Sequence, residues 1–291
     1  MRAAIDIGSN SILLLVVDEA GKVVHDEARV VGLGKGLGER GVFRPERMEA
    51  ALACLKDYAN IAKGAQIRAV ATSASRRALN AATFYANVQK QTGIKVEVVS
   101  GEEEARLTWI GALDGLDVPP GPVLVCDPGG GSTEVILGEG RQVHSRVSLE
   151  IGTVRLTEQF LGYGQVDAAS LARLRAHVDA EVAKLVLPVQ PRLAVAVAGT
   201  ATTLAAAELG LAAYDPARVH GSTLTDGALR GWIDRLLAAS PERRRELVAV
   251  SPERADTVLA GAVILLRVLD VAKRHAFRVS DRGLRYGVLR R

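Results

Sequence analysis

The sequence predicts an α/β protein built from two similar domains that face each other across a cleft. Two observations carry this. One pattern occurs twice: an apolar strand ending in Asp, a turn of small residues containing Ser, and a second apolar strand. The copies are residues 3–17, AAIDIGSNSILLLVV, and residues 123–137, VLVCDPGGGSTEVIL, so Asp6 and Asp127 occupy equivalent places. Such a duplication suggests paired domains with a cleft between them. The second observation is DVPPG at 117–121, the clearest linker in the chain, which divides it into 1–120 and 121–291.

In the first half, strands are expected at 2–7, 11–18 and 22–31, an antiparallel meander. Residues 32–38, GLGKGLG, alternate glycine with other residues and read as a mobile loop near the cleft. They are not a nucleotide fingerprint, because no βαβ context follows. After Pro45 the apolar spacing through Met48, Leu52, Leu55, Tyr58 and Ala62 predicts a helix, followed by a strand at 67–71. TSASRRALN at 72–80 reads as a strand end passing through a Ser/Thr cap into a helix whose first turn carries Arg76 and Arg77. Adjacent helical residues point about 100° apart, so at least one arginine faces solvent and the other is free to reach an anion. A strand at 95–99 leads into SGEEEAR at 100–106, a capped helix start with three acids. Acids there ordinarily complement the helix dipole.

The second half repeats the meander at 122–127, 132–138 and 142–149. Helices are expected near 153–161, 167–185, 200–209, 225–237 and 252–273, with strands at 193–197 and 277–280. A last helix at 283–289 is free to pack back on either domain. AGTATT at 198–203 is a third small-residue turn, and the helix it opens offers another anion-binding end.

Composition limits the functional classes. The chain has 291 residues, 48% hydrophobic and 24% charged, enough for sizeable cores. No apolar run is long enough for a spanning helix and no secretory signal is visible, so a soluble cytoplasmic protein is expected, with no membrane partner. Cys54 and Cys126 sit among apolar neighbours without metal-ligand spacing and read as core thiols. The net charge of +4, with arginine clusters at 243–245 and 290–291, favours a polyanion. Only 4% of residues are aromatic, too few to stack bases, so nucleic acid is not the expected partner.

The glycine turns point to phosphate. Gly129, Gly130 and Gly131 leave room for backbone N–H groups to close around an anion, Ser132 and Thr133 add hydroxyls, and Asp127 can hold a cation. A glycine hairpin alone usually only turns the chain; the second copy at Gly8, Ser9, Asn10 and Ser11 is what favours binding.

These elements together resemble the two-domain actin-like (ASKHA, ribonuclease H-like) fold. IDIGSNS at 5–11, ATSASRRALN at 71–80, VVSGEEEARL at 98–107, CDPGGGSTE at 126–134, IGTVRLTE at 151–158, AGTATTLAA at 198–206 and VSDRGLRYGVL at 279–289 resemble, in order, the exopolyphosphatase and guanosine pentaphosphate phosphatase (Ppx/GppA) family, in its short form. The resemblance implies hydrolytic removal of a terminal phosphate from a phosphoanhydride chain with Mg²⁺. It implies that Glu104 is the catalytic glutamate, that Arg76 contacts phosphate and that Asp127 takes part. Asp127, Asp6 and Glu134 are then placed to ligate Mg²⁺, and the two hairpins with Gly199 and Thr200 to hold phosphates. Inorganic polyphosphate is the expected substrate, with short chains favoured because the extra helical domains of longer members are not seen. Guanosine pentaphosphate hydrolysis and a non-catalytic guanosine polyphosphate or polyphosphate sensor are the alternatives, and a homodimer is compatible with the resemblance. Pro128 stands where the family has an aliphatic residue, and removes one amide donor from the turn.

Overall fold

The computed structural model describes residues 1–37 and 41–291; Gly38, the last residue of the glycine-alternating loop, lies outside them. The described chain forms two compact units, Met1–Gly111 with Leu284–Arg291, and Ala112–Gly283. The passage between them falls at Gly111 and Ala112, inside a helix rather than at the proline linker, and the last helix belongs to the first unit.

In the first unit, β1 (Arg2–Ile7), β2 (Ser11–Val17) and β3 (Val23–Val30) form the antiparallel meander. β4 (Gln66–Ala71) runs parallel to β1 and β5 (Val96–Val98) parallel to β4, giving the order β3-β2-β1-β4-β5. Parallel neighbours need a crossover. Here α1 (Pro45–Ile61) connects β3 to β4, while α2 (Ser73–Arg77) and α3 (Ala81–Thr92) connect β4 to β5. The register puts Ile5 opposite Leu14 and Ile7 opposite Ile12, and this face packs on Leu55, Tyr58, Phe84 and Val88. The opposite face carries Ala4 and Val70. It is covered by Leu107 of α4 (Gly101–Leu113) and by Leu284 and Val288 of the last helix. Asp6, two residues along β1 from Ala4, lies on this second face.

The second unit repeats that plan. β6 (Val123–Pro128), β7 (Thr133–Glu139) and β8 (Gln142–Leu149) form the meander, with β9 (Leu193–Ala196) parallel to β6. α5 (Thr153–Leu156), continued by a π turn at Thr157–Leu161, and α6 (Ala168–Val182) precede β9. Then come α7 (Ala198–Glu208), α8 (Pro216–Val219), β10 (Thr223–Thr225), α9 (Asp226–Ala238), α10 (Pro241–Leu247), α11 (Val258–Ala272) and β11 (Ala276–Val279). With β11 parallel to β9, the run β8-β7-β6-β9-β11 has the same order and directions as the first sheet, and β10 is added at its edge. Two units of this topology make the ribonuclease H-like, actin-type fold. α11 is apolar on nearly all sides and forms the buried centre of the second core. The final helix is α12 (Leu284–Arg290).

Several local readings are corrected. Residues 72–80 do not run on as one helix: α2 ends at Arg77 and α3 starts at Ala81. Thr72 sits at the N-cap of α2 without capping it. The expected helix 252–273 begins at Val258, after a 3₁₀ turn at Pro252–Arg254. Both cysteines are buried free thiols, as expected. The arginine clusters are not open anion patches: Arg243 pairs with Glu246, and Arg291 with Glu97. Arg244 is buried and donates to the Leu236 carbonyl in the last turn of α9, closing that helix.

Candidate active site

The first unit assembles its site around Glu104. Ser100 caps α4 by accepting from the Glu103 N–H at 3.2 Å, and Glu103 forks onto Arg106 at 2.8 Å to each nitrogen. These two acids of the GEEE run thus divide their labour, Glu103 serving the helix surface and Glu104 turning inward. Glu104 is 7% exposed. Arg76 Nη1 donates to Glu104 Oε2 at 2.6 Å and to the Val99 carbonyl at 3.1 Å. Burial pushes the Glu104 carboxyl above its ordinary pKa, and Arg76 and Thr72 oppose that shift. A carboxylate whose pKa is raised toward neutrality, beside a guanidinium, has the electrostatics of a general base. Asp6 lies near enough to feel the same charge. Its pKa is raised to about 7, chiefly by burial and then by Glu104, with Arg285 of α12 acting in the opposite direction.

The two small-residue turns have a common architecture. In the first, the Gly8 N–H bonds the Ser11 carbonyl at 2.9 Å. The Ser9 carbonyl accepts from Gly34, and the Asn10 carbonyl from Val31 and Gly32. In the second, the Gly129 carbonyl accepts from Thr153, and the Gly130 carbonyl from Val154 and Arg155. In both, a neighbouring segment draws the carbonyls to one side. The N–H groups of Ser9 and Asn10, and of Gly130, Gly131 and Ser132, find no acceptor among the described residues. Amides left over in this way form an anion-binding concavity. The glycines matter sterically: a Cβ on Gly8 or on Gly129 would lie 3.1 Å from the carbonyl oxygen of Ser11 or Ser132. Gly152 has the tighter constraint, since a Cβ there would overlap the backbone of Gly130 and Gly131.

The carboxylates of the second turn face each other. Asp127 and Glu134 are direct cross-strand partners on β6 and β7. Glu134 is buried, and its Oε1 accepts from Ser132 Oγ at 2.8 Å and Ser148 Oγ at 3.0 Å. Pro128 pairs with Thr133 at the strand end, just before the free amides, so its missing N–H is not one of them. Thr133 is fully buried and gives its hydroxyl to the Ile151 carbonyl at 2.6 Å, which leaves its side chain occupied inside the fold. An all-oxygen pair such as Asp127 and Glu134 fits Mg²⁺, which takes one or two carboxylates and keeps several waters. Among the described residues, no group of three or more His, Cys, Asp or Glu gathers as a metal cage.

At the third turn Ala198 adopts φ 66°, a left-handed conformation unusual for a residue with a Cβ, and Thr200 is buried at the start of α7. Gly199 lies against the Arg254 guanidinium, where any Cβ would overlap it. Burial depresses the Arg254 pKa. Sequence reasoning missed Arg254, Thr72, Ser148 and Gly152. Of these, Thr72 and Gly152 left a local trace, in the ATSASRRALN and IGTVR blocks.

Two units of actin-type topology, each with a strand-end aspartate and a turn of free amides, define a protein of the phosphoryl-handling kind. The chain belongs to the Ppx/GppA phosphatase family, whose profile matches residues 15–291. It is 36% identical over 281 residues to Exopolyphosphatase 2 of Mycobacterium tuberculosis, covering 90% of this chain and 88% of that one. Among solved structures, the Aquifex aeolicus Ppx/GppA family member is 37% identical with a TM-score of 0.82, covering 99% and 95% of the two chains. An exopolyphosphatase of Cytophaga hutchinsonii is 26% identical with a TM-score of 0.90, covering 99% and 96%. No helix among the described residues is long and apolar enough to cross a membrane.

Proposed function

We propose that the protein is an exopolyphosphatase that releases terminal orthophosphate from inorganic polyphosphate, with Mg²⁺, and that it favours short chains. The observation that carries the reading is the buried Glu104 carboxylate held at 2.6 Å by Arg76, in a unit whose first turn leaves two amides free for phosphate oxygens. In this reading Glu104 takes a proton from water as the water oxygen attacks the terminal phosphorus. The P–O bond to the next phosphate breaks, and its electron pair leaves with the shortened chain. In the first unit, Arg76 and the amides of Ser9 and Asn10 hold oxygens on which charge accumulates, and in the second the amides of Gly130, Gly131 and Ser132 offer the same kind of contact. Gly199 and Thr200, with Arg254 beside them, provide a further contact for phosphate. In the second unit Asp127 and Glu134 would hold Mg²⁺, which when bound would neutralise phosphate charge.

The test is phosphate release with Mg²⁺ from short and long polyphosphate, guanosine pentaphosphate and ATP, beside Glu104→Gln. Polyphosphate turnover without any nucleotide is expected. Glu104→Gln should lose about 10²- to 10⁴-fold in rate while still binding polyphosphate. Full turnover by that variant would remove Glu104 as the base. Exclusive attack on guanosine pentaphosphate would replace the substrate assignment, and exclusive attack on long polymers the chain-length preference.

A further inference from the structure

Tyr85 is a buried phenol with no part in the chemistry above. Its hydroxyl lies 2.6 Å from Ser75 Oγ, and both residues are buried, at 6% and 4% exposure. Ser75 belongs to α2, the five-residue helix that ends in Arg76 and Arg77 and begins just after Thr72. The guanidinium that holds Glu104 therefore comes from this one short segment.

A helix of barely more than one turn has little stability of its own. α2 also has no side-chain cap, since Thr72 at its N-cap makes no such bond. Its orientation must come from tertiary contacts. After α2 the chain is fixed by Asn80, whose side chain accepts from the Phe43 N–H at 2.8 Å and donates to the Phe43 carbonyl at 3.0 Å. Along the body of the helix, the Tyr85 hydroxyl is a buried polar anchor, reaching Ser75 from the first turns of α3. Ser75 and Arg76 are neighbours about 100° apart on the helix, so the bond that fixes the rotation of one fixes the direction of the other.

We propose that Tyr85 is a positioning residue for phosphate hydrolysis, acting through Ser75 to hold α2 in the rotation that presents Arg76 to Glu104. This rests on the roles proposed for Arg76 and Glu104. Displacement of a catalytic group by about 1 Å can cost 10²-fold in rate. A phenol-to-serine bond removed without loss of the ring's packing is expected to cost less, on the order of 10-fold in kcat.

The experiment measures kcat, KM and thermal midpoint for polyphosphate hydrolysis by the full chain in wild type, Tyr85→Phe, Ser75→Ala and the double variant. Each is repeated in the Arg76→Ala background, with Glu104→Gln as the control. Tyr85→Phe and Ser75→Ala should each lower kcat by about 10-fold, and the double variant should be no worse than either, as for two groups acting as one unit. In Arg76→Ala the further loss from Tyr85→Phe should vanish, which a bond serving only the fold would not produce. Wild-type kcat in both single variants overturns the proposal, as does an undiminished Tyr85→Phe effect in the Arg76→Ala background. If Tyr85→Phe fails to fold, Ser75→Ala alone decides by the same two readouts. If Glu104→Gln turns over normally, the site assignment fails instead, and the two failures are told apart.

Discussion

Asp6 and Glu104 are buried carboxyls of one unit, and Glu104 makes Asp6 harder to ionise. For Asp6 burial is the larger cause and Glu104 the second, and the result is a carboxyl raised from 3.8 to about 7. The consequence for stability has a definite sign. Below about pH 4 the group is protonated in both folded and unfolded chains and its ionisation costs nothing. Between about pH 4 and 7 the unfolded chain gives up a proton that the folded chain keeps, so stability falls as pH rises, and above that window the loss is constant. A shift of about three units corresponds to roughly 4 kcal/mol as an upper limit. Asp6→Asn should abolish most of this slope when unfolding by denaturant is followed from pH 4 to 8 in a chelator. Glu104→Gln should flatten it in part, because it removes the second cause. Parallel stability–pH curves for wild type and Asp6→Asn would show that the carboxyl is not buried in the way the fold implies. At pH 8 wild type is then the less stable protein, a cost retained at two positions assigned to chemistry rather than to folding.

At the scale of elements, the two turns work because each is backed by a segment that takes its carbonyls. For the second turn that segment is the start of α5, whose first amides bond Gly129 and Gly130. Gly152 is where the two backbones touch. Gly152→Ala should therefore push α5 off the turn, at a cost of about 1–3 kcal/mol for the forced overlap. Polyphosphate turnover should fall beyond what the lowered thermal midpoint explains. Wild-type kcat in the Gly152→Ala variant, at a temperature where it is fully folded, would mean the turn does not depend on α5. The turns themselves were legible in the chain, since strand–Asp–small residues–strand is a local pattern and occurs twice. Their backing was not, because Thr153 donating to Gly129 joins residues from different elements. Thr72 shows the reverse: Thr before a helix reads as a cap, and in the fold its side chain does not cap α2. Arg254 was invisible for a similar reason, as its contact with Gly199 joins residues far apart in the second unit. The break between α2 and α3 went unread because Ala78, Leu79 and Asn80 contain neither Gly nor Pro.

For the molecule as a whole, the decisive fact is that residues 284–291 fold with residues 1–111 and not with the unit that precedes them in sequence. α12 lies on the face of the first sheet that carries Asp6, with Leu284 and Val288 packed on Ala4, Val70, Val99 and Leu107. Arg285 forks onto Asp26 at 2.9 and 3.0 Å, and Tyr286 adds a third bond to that carboxylate at 3.0 Å. Gly287 lies so close to the Leu107 carbonyl of α4 that a Cβ would overlap it. One short helix thus touches both the strand that carries Asp6 and the helix that carries Glu104. Removing Leu284–Arg291 should expose that apolar face and free α4, while the second core, centred on α11, keeps all its contacts. Hydrogen exchange should show β1, β4 and α4 losing protection and β6, β7 and β9 retaining it, with phosphate release abolished. Two other outcomes count against this division of the fold. Uniform loss of protection in both sheets would mean the units do not stand separately, and unchanged protection at β1 and α4 would mean α12 is not part of the first unit's core. The two readouts together separate a helix that completes one unit from one that merely follows the other in sequence.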